Sequence, residues 1–147
     1  MCVAVHKRCE CGAVIVQFHL RDNVLPQEVV SRLFCPACPG DAPFDRATMV
    51  NDNGWIIEFD MQLARNIMVA RNLLDPDSAT PEYIFDQGYA CWLETYPGEK
   101  DEIKEEKAEI IKLLKIDQRA YLEKIQSWNI NRLNKLKSEG WRKARIA

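Results

Sequence analysis

Four cysteines stand in two close pairs: Cys9 and Cys11 in Cys-Glu-Cys-Gly and, after 23 intervening residues, Cys35 and Cys38 in Phe-Cys-Pro-Ala-Cys. Thiolates are soft ligands, and two such pairs brought together by folding supply the tetrahedral four-sulfur shell that Zn²⁺ prefers. Iron accepts the same ligands, although nothing else in the chain favours electron transfer. Cys35-Pro-Ala-Cys38 also has the spacing of a redox pair. A redox pair normally opens a helix, however, and Pro39-Gly40 follows at once. Cys2 and Cys91 are isolated extras. Pairing this close speaks for metal ligation over disulfides, and with it for a reducing, cytoplasmic location. His6, three residues before Cys9, is the alternative ligand; His19 lies in a strand-like run and is a poorer candidate.

Ligands of this kind sit best at turns near strand ends, where backbone amides can hydrogen-bond to sulfur and offset its charge. The flanking residues supply such strands. Val3 and Val5 precede the first pair, and Ala13-Val-Ile-Val-Gln-Phe-His-Leu20 follows it with a β-branched run. A second run, Val29-Val30 to Leu33-Phe34, leads into Cys35. The stretch from Lys7 to Gly40 resembles the zinc-ribbon group of metal-binding modules, in which two cysteine-bearing turns clasp one structural zinc beside antiparallel strands. The resemblance implies Cys9, Cys11, Cys35 and Cys38 as the ligands and says little about function. The sequence departs from that pattern twice. The first pair has one intervening residue instead of two, and Pro39 has no amide to offer the second.

Asp52-Asn53-Gly54 separates Ala47–Asn51 from Trp55–Phe59 and signals a hairpin, because Asn and Gly tolerate the positive φ of tight hairpin turns. Trp55 and Phe59 fall on one face, as core. Asp45, Asp52, Glu58 and Asp60 would repel a phosphate backbone there. Asp60 then caps a helix of about four turns with Leu63, Ile67, Ala70 and Leu74 on its apolar face. Thr80-Pro81 opens a second helix, rich in aromatics (Tyr83, Tyr89, Trp92, Tyr96), that ends at Pro97-Gly98 and packs against the long helix after it. From Glu99 no Gly or Pro interrupts the chain until Gly140, and Ile111, Leu114, Gln118, Tyr121, Ile125 and Trp128 form a heptad-like coiled-coil seam. The sequence therefore predicts an α+β protein: a zinc-ribbon-like antiparallel β module over residues 1–59, then a helical region over 60–147 with two short helices and a long amphipathic C-terminal helix.

Charge is unevenly spread. The formal net charge is −2, yet residues 41–102 carry 13 acidic and 4 basic side chains, whereas residues 131–147 carry 6 basic and 1 acidic. Arg132, Lys135, Lys137, Arg142, Lys143 and Arg145 around Trp141 make a short nucleic-acid-like pattern, opposed by the acidity elsewhere. No run reaches the roughly 18 apolar residues that span a bilayer. The two histidines both lie near the cysteine module, so no nucleophile–base arrangement is visible. The expected function is a non-enzymatic, zinc-stabilised interaction or assembly protein that forms a homodimer through the long helix. The nucleic-acid alternative rests on the basic tail. An enzyme alternative requires an open coordination position with Glu10 or Asp22 as acid/base.

Overall fold

The computed structural model describes residues 3–38, 44–73 and 76–146. It forms two compact units, Met1–Leu93 and Glu94–Ala147. The 59/60 boundary read from the sequence falls inside the first unit, because the elements after Phe59 complete the core of that unit.

Among the described residues the first unit holds two three-stranded antiparallel sheets. Strands β1 (Val3–Arg8) and β2 (Ile15–Leu20) form a hairpin to which β6 (Ala90–Trp92) adds, in the order β1-β2-β6. Strands β3 (Val30–Phe34), β4 (Met49–Asp52) and β5 (Trp55–Phe59) form the other sheet, in the order β3-β5-β4. Alternation sets the faces: Val16, Phe18 and Leu20 of β2 are buried, while Ile15 and Gln17 on the other face are exposed. The β4–β5 turn matches its sequence signal, with Asn53 at φ 51° and Gly54 at φ 92°.

Among the described residues, two α-helices cover this unit. Asp60 caps α1 (Met61–Ala70) by accepting from the Leu63 amide at 3.1 Å. The helix is shorter than its apolar spacing predicted, and its buried residues are Met61, Ala64 and Met68. Leu63 and Ile67 are half-buried, Ala70 is exposed, and Leu74 lies outside the described residues. Thr80 caps α2 (Pro81–Asp86) through the Tyr83 amide, with Pro81 in the first turn.

The predicted continuation of α2 to Tyr96 does not form. Gly88 at φ 80° donates to the Phe85 carbonyl, Tyr89 donates to that of Ile84, and the chain leaves the helix to become β6. Burial explains the switch. Trp92, fully buried, packs against Phe18, Phe85 and Trp55 with ring centroids 5.1, 5.7 and 5.7 Å away. Its indole N–H donates to the buried Asp52 carboxylate at 2.8 Å. Trp92 is thus the centre of the β core and not part of a helical seam, whereas Tyr96, in the second unit, does pack on the C-terminal helices, beside Leu133, Leu136 and Trp141.

The second unit is a helical hairpin. It comprises α3 (Glu99–Glu102), α4 (Lys104–Lys112), a tighter turn over Leu113–Lys115, α5 (Gln118–Glu139) and α6 (Arg142–Ile146). The long helix expected from Glu99, with a bend or break expected at the asparagines of Ser127–Asn131, instead breaks at Asp117, which takes an extended conformation and caps α5 through the Arg119 and Ala120 amides. Helix α5 then runs on through Ser127–Asn131. The seam is divided accordingly. Tyr121, Ile125 and Trp128 are half-buried, whereas Ile111 and Leu114 are exposed. The Trp128 indole donates to Glu106 of α4 at 3.0 Å, and the Lys107 ammonium lies 5.8 Å from its ring centroid. Gly140, at φ 94°, closes α5 by donating to the carbonyls of Leu136 and Lys137. No helix among the described residues is long and apolar enough to cross a membrane.

Candidate metal centre

The hairpin β1–β2 presents Cys9 and Cys11 at its turn. Cys9 N–H donates to the Val14 carbonyl at 2.9 Å, and Gly12, at φ 76°, donates to the Cys9 carbonyl at 2.8 Å. Glycine meets the left-handed backbone there without strain. Strand β3 delivers Cys35, and a turn brings Cys38 back, its amide donating to the Cys35 carbonyl at 3.0 Å. A hydrogen bond from Glu10 N–H to the Leu33 carbonyl, 2.9 Å, aligns the two turns.

The result is a compact four-thiol cluster. Cys9 Sγ is 2.9 Å from Cys38 Sγ and 3.4 Å from Cys11 Sγ. Cys35 Sγ lies 3.6 Å from both Cys11 and Cys38. All four sulfurs fall within 4.8 Å of one another. A tetrahedral Zn–S₄ site has sulfur–sulfur edges of about 3.8 Å, from its Zn–S distance of about 2.3 Å. A modest outward relaxation of the closest pair therefore admits a metal, and the donor set suits it.

Backbone amides complete the arrangement. Cys9 Sγ accepts from the amides of Cys35, at 3.0 Å, and Cys11. Cys11 Sγ accepts from the Ala13 amide, and Cys35 Sγ from that of Ala37. Such donors stabilise thiolate charge. The single-residue spacing of the first pair is accommodated because each of its sulfurs finds an amide on its own turn. Ala37 supplies the second pair; Pro39 lies outside the described residues. Burial, reinforced by the neighbouring sulfurs, pushes the Cys9 and Cys35 thiols up. The exposed Cys11 thiol is lowered to about 7, first by the Ala13 amide and then by the Cys9 and Cys35 sulfurs.

The other candidates lie elsewhere. His6 does not replace a cysteine: its Nε2 is 3.0 Å from Gln17 Nε2 across the β1–β2 pair, and it is absent from the cluster. His19 is half-buried on β2, opposite the buried Cys91. Glu10 and Asp22 are exposed, and Asp22 pairs with Arg21 at 3.8 Å. In the second unit the Trp141 ring stacks on Tyr96 at 5.0 Å, so the aromatic of the basic tail already has a partner. Arg132 is likewise engaged: it donates to the Tyr96 hydroxyl, which itself donates to Glu102, and pairs with Glu99 at 3.5 Å. Burial and the Glu102 hydrogen bond push Tyr96 up to about 12.

Sequence reasoning missed the Asp52–Trp92 pair. Its one signal was a carboxylate directly before a hairpin turn, which reads more simply as a turn residue. The amide donors to sulfur were expected in kind, but their identities follow from turn geometry alone. No known protein family, curated protein or solved structure matches the chain.

Proposed function

We propose that Cys9, Cys11, Cys35 and Cys38 hold one Zn²⁺ in a closed four-thiolate shell within a zinc-ribbon-like module. In this reading the metal is structural and the protein is a non-enzymatic interaction or assembly protein. The observation that carries the proposal is the position of the ligands. Cys9 follows β1 of one sheet and Cys35 follows β3 of the other, and among the described residues the two sheets share no strand pairing. A metal there ties them together. With four protein ligands the shell has no position for a reactive water, so the binding energy goes into the fold.

The contact surface is assigned to the α4–α5 hairpin, and its partner is a second copy of the chain. Ile111, Leu114, Ile116 and Leu122, near the connection between the helices, are 52%, 44%, 80% and 56% exposed. The Glu109–Lys112 and Arg119–Glu123 pairs flank them. A surface carrying both signs of charge beside an apolar patch can complement itself about a two-fold axis.

Metal analysis and X-ray absorption at the bound metal, on protein purified under reducing conditions, test the first part; light scattering tests the second. One zinc per chain with four sulfur neighbours and a dimeric mass are expected. A shell containing exchangeable water overturns the structural reading, and a monomeric mass overturns the dimer.

A further inference from the structure

We infer that Cys11 is the site at which a peroxide oxidises the cluster, and that the reaction expels the metal and leaves a Cys11–Cys35 cross-link. This rests on the zinc–thiolate reading of the cluster. The sulfurs differ in what guards them. Cys9 and Cys35 are 2% and 5% exposed, and Cys38 is half-buried. Cys9 Sγ is further wrapped by two amides. Cys11, at the tip of the β1–β2 turn, is exposed. Its neighbour Gly12 leaves the approach open, since a methyl group built there would meet nothing within 4 Å. Oxidation of thiolates follows exposure and thiolate character, and a zinc shell keeps all four in thiolate form.

The chemistry closes with hydrogen peroxide as the oxidant. The Cys11 thiolate attacks one peroxide oxygen, an S–O bond forms, the O–O bond breaks and hydroxide leaves. A second thiolate then attacks the Cys11 sulfur, the S–S bond forms, the S–O bond breaks and a second hydroxide leaves. Two thiolates have thereby given two electrons to the peroxide. Cys9 and Cys35 are both in reach, at 3.4 and 3.6 Å from Cys11 Sγ, and Cys38, within 4.8 Å, is the remaining competitor. A Cys9–Cys11 bond would close a cramped ring around the single residue Glu10, whereas Cys35 comes from the other turn without that constraint. The zinc, left with Cys9 and Cys38 alone, departs as the aqua ion. The cross-link spans the same two turns the metal had joined, so the clasp survives the loss of its ion.

The test uses the full, reduced, zinc-loaded chain and one equivalent of hydrogen peroxide. Zinc release is followed with a chromogenic chelator, sulfenic acid is trapped at early times, and disulfides are mapped without reduction. The expected result is one zinc released for two thiols lost, early trapping on Cys11, and a Cys11–Cys35 linked peptide. Zinc retained under these conditions, first trapping on another cysteine, or a Cys9–Cys11, Cys11–Cys38 or Cys35–Cys38 linkage overturns the inference. Zinc content before oxidation separates the two readings. A chain that takes up no zinc fails the metal reading, and trapping on its free thiols still shows whether Cys11 reacts first.

Discussion

Replacing Cys9 or Cys11 by alanine removes one thiolate from the same shell, so any difference between the variants reports the surroundings of each sulfur. Cys9 Sγ is the acceptor for the Cys35 amide, at 3.0 Å in a buried position, and for the Cys11 amide. Alanine at position 9 strands the buried Cys35 donor, which costs about 1–3 kcal/mol. It also leaves a small void at a site only 2% exposed, a further cost of about 0.5–1 kcal/mol. Cys11 is exposed, and the Ala13 amide that loses its acceptor in Cys11→Ala sits at an exposed turn where water replaces the sulfur. The Cys9→Ala variant should therefore be less stable than Cys11→Ala by about 2 kcal/mol. Because ordering of such a site is coupled to metal uptake, it should also bind zinc more weakly, by up to roughly 30-fold. Competition against a chromogenic chelator at neutral pH measures the ratio, and thermal unfolding by circular dichroism should place Cys9→Ala lower. Equal affinities, or the reverse order, would refute the claim that the amides and burial around Cys9 organise the site.

Three further outcomes are expected. Zinc uptake displaces protons from Cys9 and Cys35, whose thiols burial holds above the usual value of 9.0, so both are still protonated at pH 8 in the absence of metal. Apparent zinc affinity should thus rise at least about 100-fold from pH 7 to 8, and more steeply below 7 where the Cys11 thiol also binds its proton; a series of competition titrations giving fewer than two protons per zinc speaks against it. Trp92→Phe removes the donor to Asp52 and shrinks the fully buried hub of the core, which should cost roughly 2–4 kcal/mol in denaturant unfolding; a loss below about 1 kcal/mol would show that the hub is not where the packing energy lies. Paired Ile116→Glu and Leu122→Glu substitutions should reduce the mass in light scattering to that of one chain while leaving the far-ultraviolet circular dichroism unchanged; an unaltered dimer would place the interface elsewhere.

What could be read from the residues came from locality. The Asn53-Gly54 turn, the cap at Asp60 and the helix start at Thr80-Pro81 depend on neighbours within a few positions, and these local features appear in the structure. The close spacing within each cysteine pair is equally plain, and the fold brings the two pairs into one cluster. Two readings failed where a local pattern was overruled. Residues 90–92 have helical surroundings and aromatic spacing, yet they pair with Phe18–Leu20, some 70 positions earlier in the chain, because only that register buries Trp92 against Phe18 and Asp52. A helix-period pattern cannot register a partner so distant. The second failure was at Asp117. Scanning for Gly and Pro as helix breakers passed over an aspartate that stops one helix by capping the next. The signal was present in the residue type, and the length of the apolar seam obscured it.

The placement of the cluster has an energetic logic that neither the cysteines nor the fold displays alone. The apolar core of the first unit begins on β2 only at Val16; Val14 and Ile15, nearer the cysteine turn, are 37% and 55% exposed. Glu10, Gly12 and Ala13 are exposed as well, so the turn end of the hairpin buries almost no hydrocarbon. Strand β3, which must meet it, has only five residues and an irregular register between Val30 and Arg32. At about 25 cal/mol per Å² of apolar surface, such a junction has little hydrophobic energy to set against the entropy of ordering two turns. Four metal–sulfur bonds need no apolar area, and structural zinc contributes on the order of 10 kcal/mol to small domains that bind it. At the opposite end of β2, Phe18 and Leu20 meet Ala90 and Trp92 and need no such help. A thiolate cluster at the thin end of the sheet and an aromatic hub at the thick end are two solutions to one problem, each located where the other is chemically out of reach.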